Sequence, residues 1–236
     1  MVYTKQKFLE GSTILIKKPL KWTSFQVVNK IRWLIKNYFN IKKIKVGHAG
    51  TLDPLAEGLL ILCTGQSTKK IVEFQNLNKC YTGVFFIGAT RPSFDLETEI
   101  DSSSSIKHLK TEDLIKTKDE LTGNILQTPP IFSAVKIKGK KLYEYARAGQ
   151  KIKPKKRNVS ISKFNLLKID LPKVFFEIEC SKGTYIRSIA NDFGKKLKVG
   201  AYLESLVRTS VGDYSLEKAI TLDDFEKELI ASLKNQ

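Results

Sequence analysis

Apolar residues at 12–16 form a short strand pattern that ends at Lys17, Lys18 and Pro19, and Ser24 stands where a following helix needs its N-cap. In that helix Val27, Val28, Ile31, Leu34, Ile35 and Tyr38 recur at three- and four-residue spacing, which predicts a single buried face. Residues 46–58 break the pattern with Gly47, Gly50, Pro54 and Gly58 and read as a loop. Further strand patterns cover 59–63, 81–87, 132–137, 159–169 and 174–180, the last two parted by Asp170, Leu171 and Pro172. Helical periodicity falls at 111–121, 142–148, 185–197 and 222–233. The serine run at 101–105 reads as an exposed loop. Strands with interspersed helices but no regular βαβ alternation predict an α+β fold around a mixed, mostly antiparallel sheet.

Charge changes this picture more than composition does. At 42% hydrophobic residues the chain can build a substantial core in one or two domains, and its formal charge of +17 makes a polyanion the obvious partner. The surplus is uneven: residues 136–157 hold ten Lys or Arg against one acid, Glu144, and include Tyr143 and Tyr145. Cations alternating with aromatic rings suit phosphate contacts beside base stacking, which favours RNA over a membrane surface. The longest apolar stretch, 59–63, is too short to span a bilayer, and no signal-peptide pattern opens the chain, so a cytoplasmic protein is expected. Cys63, Cys80 and Cys180 are odd in number and widely spaced, which suggests reduced thiols.

The common cofactor and hydrolase signatures are missing, and two histidines, His48 and His108, cannot supply a zinc site; neither metal nor nucleotide cofactor is expected. The densest run of unusual residues is 47–58, which sets His48 and Asp53 on a glycine-rich loop leading into a strand. Asp53 before Pro54 also suits an ordinary turn, so the residues alone leave both roles open. The GxxG at 47–50 fits an RNA-binding KH loop in letters only, because that loop joins two helices and this one leads into a strand.

These residues resemble the TruB family of pseudouridine synthases. Residues 47–58 are similar to its GHxGxLDPxAxG motif, and Lys18-Pro19 with Thr23-Ser24 to its KPxGxTS motif. Lys79-Cys80-Tyr81 resembles K-x-Y, residues 130–147 resemble PxxSAxKxxGxxxYExAR, residues 182–187 match KGTYIR, and 201–208 lie where the family has A-x-x-x-x-L-x-R. The stretch 88–95 is a looser match to GxxTDTxD, with Arg91-Pro92 replacing an acid and a small residue; Asp95 keeps the acidic position and is not assigned to catalysis.

The resemblance implies a pseudouridine-synthase fold, a bent mixed sheet flanked by helices with the Asp53 loop in a central cleft. It implies an isomerase that breaks the uracil N1–ribose bond, turns the base and rejoins it through C5 at uridine 55 of the tRNA T loop, consuming nothing and using no cofactor. Asp53 would be the essential carboxylate, attacking ribose C1′ or removing a C2′ proton, with Arg187 as its cationic partner. Tyr81 would pack on the target base and assist proton transfer at C5. His48 would contact the loop around the flipped base, Leu206 would line the uracil pocket, and Lys18, Lys136 and Tyr185 would contact RNA. Read without the resemblance, Tyr81 and Leu206 suit a core equally well, and Arg187 suits a phosphate contact. The expected organisation is one catalytic domain over 1–236, with a basic RNA-binding insert near 124–157, a C-terminal helix near 221–234 and no PUA domain. It would act as a monomer on the tRNA T arm without guide RNA. A non-catalytic tRNA-binding or RNA-folding protein, or a related synthase acting on another RNA, is the alternative.

Overall fold

The computed structural model describes residues 2–137, 139–150, 152 and 154–234. They form two compact units, Met1–Lys79 with Val207–Gln236, and Cys80–Leu206. The first opens with α1 (Lys5–Glu10), β1 (Thr13–Lys18) and α2 (Ser24–Tyr38). The α2 cap is Thr23 rather than Ser24: the Thr23 hydroxyl accepts from the Gln26 N–H at 3.1 Å and the Gln26 side chain accepts from the Thr23 N–H at 2.8 Å. That reciprocal box releases the Ser24 hydroxyl for another task.

The loop expected at 46–58 is shorter at both ends. β2 (Val46–His48) pairs antiparallel with β3 (Ala56–Thr64), His48 facing Leu62, so only seven residues turn the chain. β3 also pairs with β1, from Thr13 opposite Cys63 to Lys18 opposite Gly58. A 3₁₀ turn (Gly65–Lys70) and α3 (Ile71–Asn76) follow. Under β1 and β3, α2 buries Val27, Val28, Ile31, Leu34 and Ile35 with Phe8, Phe39, Phe225 and Leu229. This is the face its periodicity predicts.

The second unit carries β4 (Lys79–Ile87), the paired β5 (Ala89–Thr90) and β6 (Ser102–Ser103), α4 (Thr111–Glu120) and β7 (Gly123–Gln127). Two of the serines read as loop thus lie in a small ladder. Then come β8 (Lys136–Ile137), β9 (Lys140–Lys141), α5 (Leu142–Arg147), β10 (Arg157–Asp170), β11 (Lys173–Cys180), α6 (Ile186–Lys196) and β12 (Ala201–Val211). The strand expected over 132–137 shrinks to β8, which pairs with its own return, β9. β10 pairs with β11 on one side and β7 on the other, and β12, β4, β11, β10 and β7 lie in that order. The core here is aromatic: Phe85 stacks on Phe176 at 4.1 Å, with Phe164 and Phe193 against it.

From residue 207 the chain returns to the first unit, where β13 (Tyr214–Ser215) pairs with the end of β12. A 3₁₀ turn (Leu216–Lys218) precedes α7 (Leu222–Lys234). The architecture is α+β, with antiparallel ladders flanked by helices. Among the described residues no helix is long and apolar enough to cross a membrane.

Two phenylalanines should respond oppositely to truncation. Phe85→Ala empties a fully buried stacked site and should cost about 3–5 kcal/mol, whereas Phe25→Ala, at 64% exposure, should stay within about 0.5 kcal/mol of wild type in urea denaturation.

Candidate active site

The turn that carries Asp53 is fixed on both sides. The Ser24 hydroxyl, freed from capping, accepts from the Leu52 N–H at 2.9 Å and donates to the Leu52 carbonyl at 3.0 Å. Beyond Asp53, the Ala56 N–H reaches the Asp53 carbonyl at 3.1 Å and the Lys21 N–H reaches the Pro54 carbonyl at 2.8 Å. Lys21 stands at the glycine position of the KPxGxTS motif and adopts a positive φ of 65°. Asp53 is half-buried on this hydrogen-bonded turn.

Two buried cations in this unit bond to the segment that carries Asp53. Arg208, 1% exposed, donates from Nε to the Leu59 carbonyl at 2.8 Å and from Nη2 to the Gly50 carbonyl at 3.0 Å. Its backbone runs so close to Gly58, at φ 106°, that a Cβ there would meet the Arg208 carbonyl oxygen at 2.4 Å. Only glycine fits. Lys18 is equally buried, and its Nζ donates to the carbonyls of Pro19 (2.8 Å), Trp22 (2.6 Å) and Pro54 (3.5 Å). Burial lowers its pKa to about 8, against the opposing pull of Glu57 and Asp53 and with a further push from Arg208. The phosphate contact expected of Lys18 is therefore corrected: its ammonium ties the 18–22 turn to the Asp53 turn and does not face solvent.

His48 ends β2, half-buried, and its Nδ1 is enclosed without a hydrogen-bond partner. Burial first, and Arg208 second, depress its pKa, so it is a neutral imidazole at physiological pH. Glu57 is exposed.

The second unit holds the other expected residues. Tyr81 is buried on β4, and Leu206 is buried on β12. Arg187, second residue of α6 and 3% exposed, lies 3.4 Å from the Asp95 carboxylate and donates to the Ser93 carbonyl at 3.4 Å. Asp95 is oriented in turn: its Oδ1 accepts from the Glu97 N–H at 2.9 Å, and the Ser93 hydroxyl donates to its carbonyl at 3.0 Å. Sequence reasoning kept the acid but missed this pairing, because the surrounding motif is the loosest of the set.

Tyr185 occupies the N-cap of α6, one residue before Arg187's turn begins, and the buried Gln127 side chain clamps it. Gln127 donates to the Tyr185 carbonyl at 3.1 Å and accepts from its N–H at 2.8 Å, while the Arg157 guanidinium lies 4.4 Å from the Tyr185 ring. Lys136 is exposed on β8. Nearby, Tyr143 meets Lys141 at 5.3 Å and Arg147 at 5.4 Å, and Tyr145 meets Lys140 at 4.9 Å, so cations and rings interleave there. Among the described residues no group of His, Cys, Asp and Glu is arranged to hold a metal ion.

Comparison with known proteins gives these residues a context. Residues 36–186 match the N-terminal domain of the TruB family pseudouridylate synthases, and 187–235 match the tRNA pseudouridylate synthase B C-terminal domain. The tRNA pseudouridine synthase B of Flavobacterium johnsoniae is 52% identical over 227 residues, covering 96% of this chain and 99% of that protein. That of Phocaeicola vulgatus is 48% identical over 222 residues, 94% of each chain. Among solved structures, a chain in the crystal structure of a Cbf5-Nop10-Gar1 complex superposes with a TM-score of 0.71 at 26% identity. It covers 95% of this chain, which spans 56% of that longer one.

The Lys18 shift has a signed consequence. Between about pH 8 and 10.5 the unfolded chain holds a proton on Lys18 that the folded chain has released, so this residue makes stability rise with pH across that window and leaves it flat on either side. Chemical denaturation from pH 7.5 to 10.5 should show the wild type gaining about 3 kcal/mol relative to Lys18→Met. Gly58→Ala should cost more than about 2 kcal/mol, because it combines a left-handed φ with a backbone clash.

Proposed function

The chain belongs to the TruB family of pseudouridylate synthases, and we propose that it is the tRNA pseudouridine synthase that converts uridine 55 of the T loop, with Asp53 as its essential carboxylate. The observation that carries this assignment is the Asp53 turn itself: a half-buried carboxylate on backbone pinned by Ser24, Lys21 and Ala56, with the buried cations Lys18 and Arg208 in the same unit. A carboxylate in a partly dry setting stays ionised when cations are close, and an ionised carboxylate is what either chemical route requires.

In this reading Asp53 attacks ribose C1′ or takes a proton from C2′, and the N1–C1′ bond breaks with its electron pair leaving on the uracil. The base turns and C5 bonds to C1′, which displaces the Asp53 carboxylate from its ester or, on the other route, adds to the glycal as Asp53 returns the proton to C2′; the C5 proton is then lost and N1 takes up a proton. Atoms and charge balance without a cofactor. Tyr81 packs on the base and assists the C5 proton transfer; Leu206 contributes an apolar wall. Arg187 supplies positive charge to the reacting centre, and Asp95 is the residue that holds its guanidinium in place, supported by the 3.4 Å pair. His48 acts as a neutral hydrogen-bonding group towards the flipped nucleotide, a role supported by its depressed pKa and its enclosed, unbonded Nδ1. Lys136, Tyr185 and the basic stretch of 124–157 hold the T arm, and the enzyme works as a monomer in the cytoplasm beside its tRNA substrates, without a guide RNA.

Release of tritium from C5-labelled uridine in an unmodified tRNA transcript tests the assignment. Asp53→Asn should slow release more than about a thousandfold, equivalent to about 4 kcal/mol of barrier, while leaving tRNA affinity within a few-fold of wild type. Tight binding without any release by the wild type would favour a binding or folding protein instead. Asp95→Asn should lower kcat by roughly tenfold or more with little change in KM, since it misplaces Arg187 without removing a substrate contact.

A further inference from the structure

The charge surplus has a second home, most of which the catalytic reading does not use. Between Gly11 and Leu52 there are nine Lys or Arg residues and no Asp or Glu, a net +9 equal to that of the 136–157 stretch; the rest of the chain sums to −1. Much of this second tract lies on α2 and the turn that follows it. The inner face of α2 is core, and its outer face presents Phe25 at 64% exposure and Trp33 at 53%, eight residues apart and therefore on one side of the helix. Lys30 lies 4.9 Å from the Trp33 ring.

Not every cation here is available. Lys30 is 3.7 Å from Glu226, and Arg32 is tied to Asn29 at 2.7 Å and to the Val46 carbonyl at 3.0 Å. Lys36, Lys42, Lys43 and Lys45 are exposed, and no ion pair reaches them among the described residues. Two solvent-facing rings alongside four uncommitted ammonium groups form a surface that is costly for a monomer to expose and poorly suited to a neutral protein partner. Its chemistry matches a polyanion with planar groups.

We propose that the outer face of α2 and the 42–45 turn form a second RNA-binding surface, on which Lys36, Lys42 and Lys43 contact phosphates and Trp33, with Phe25, stacks on a base or ribose of the tRNA outside the target nucleotide. The inference rests on the proposed function, which supplies the RNA, and deepens it by naming where the flanking RNA lies. Position supports it: Ser24, the first residue of α2, is bonded directly to Leu52 next to Asp53, and from there the helix runs fifteen residues, about 22 Å, away from the reacting base. RNA whose target uridine sits at Asp53 has its neighbouring nucleotides within that reach.

The test measures affinity for an unmodified tRNA transcript over a range of salt concentrations. Replacing Lys36, Lys42 and Lys43 together by Gln should weaken binding about tenfold and lower the log–log salt slope by about 2 to 3, whereas a charge-matched control, Lys107, Lys116 and Lys234 to Gln, should change affinity less than about twofold. With Trp22 replaced by Phe, the remaining Trp33 fluorescence should be quenched on RNA binding, and Trp33→Ala should weaken binding by about tenfold. Unchanged affinity, or equal weakening by the control set, overturns the proposal. So does sedimentation showing a dimer that Phe25→Ser with Trp33→Ser dissolves, since the face would then be covered by a second copy. Turnover keeps the two readings apart: the Lys36, Lys42 and Lys43 variant should retain wild-type kcat at saturating tRNA, while a wild type that binds through α2 but releases no tritium fails the proposed function and not this surface.

Discussion

A guanidinium buried beneath the Asp53 turn must find acceptors for its N–H groups, and Arg208 finds them in the carbonyls of Gly50 and Leu59, at opposite ends of the segment that carries the carboxylate. Desolvating that cation without those carbonyls would cost several kcal/mol, so the turn and the arginine specify each other. The rest of the local design follows. Gly58 must lack a Cβ because the Arg208 backbone crosses it, and the pKa values of His48 and Lys18 are depressed first by their burial and only then by the Arg208 charge.

The second unit solves a parallel problem with different parts. Arg187 is as deeply buried as Arg208, but its charge is met by the Asp95 carboxylate and not by carbonyls alone. Its direction is set at the start of α6, where no Ser, Thr, Asn or Asp caps the helix. Gln127 binds both backbone groups of Tyr185 from a neighbouring strand and so replaces the cap with a tertiary clamp. One unit uses main-chain oxygens to orient a cation, the other uses a carboxylate and an amide.

Much of this fold is legible where one face meets water. α2, α4 and α7 and the β10–β11 hairpin alternate buried and exposed positions at the period of their geometry, so their limits are readable to within a residue or two. β12 is not, because residues 201–203 are covered on both faces and Glu204, Ser205 and Arg208 interrupt what remains of the alternation. The site was legible through motif letters and much less through chemistry. Asp53 and His48 stand out as unusual residues on a glycine-rich turn, but nothing local says that Lys18 is sealed from solvent or that Asp95 faces Arg187, since both facts depend on residues 36 and 92 positions away. Ser24 shows the same limit at close range: the sequence marks a cap, and the capping box one residue earlier decides which hydroxyl is free.

β3 is buried at every position from Gly58 to Thr64. A strand covered on both faces carries no polar side to distinguish one alignment from the next, so hydrophobic pattern alone would tolerate a one-residue slip against β1 or β2. What holds it in alignment is the crossing of Arg208 at Gly58 and the tight return from His48, that is, the turn that carries Asp53. A side chain added at Gly58 would therefore disturb the alignment of the strand and the seating of the Asp53 turn together.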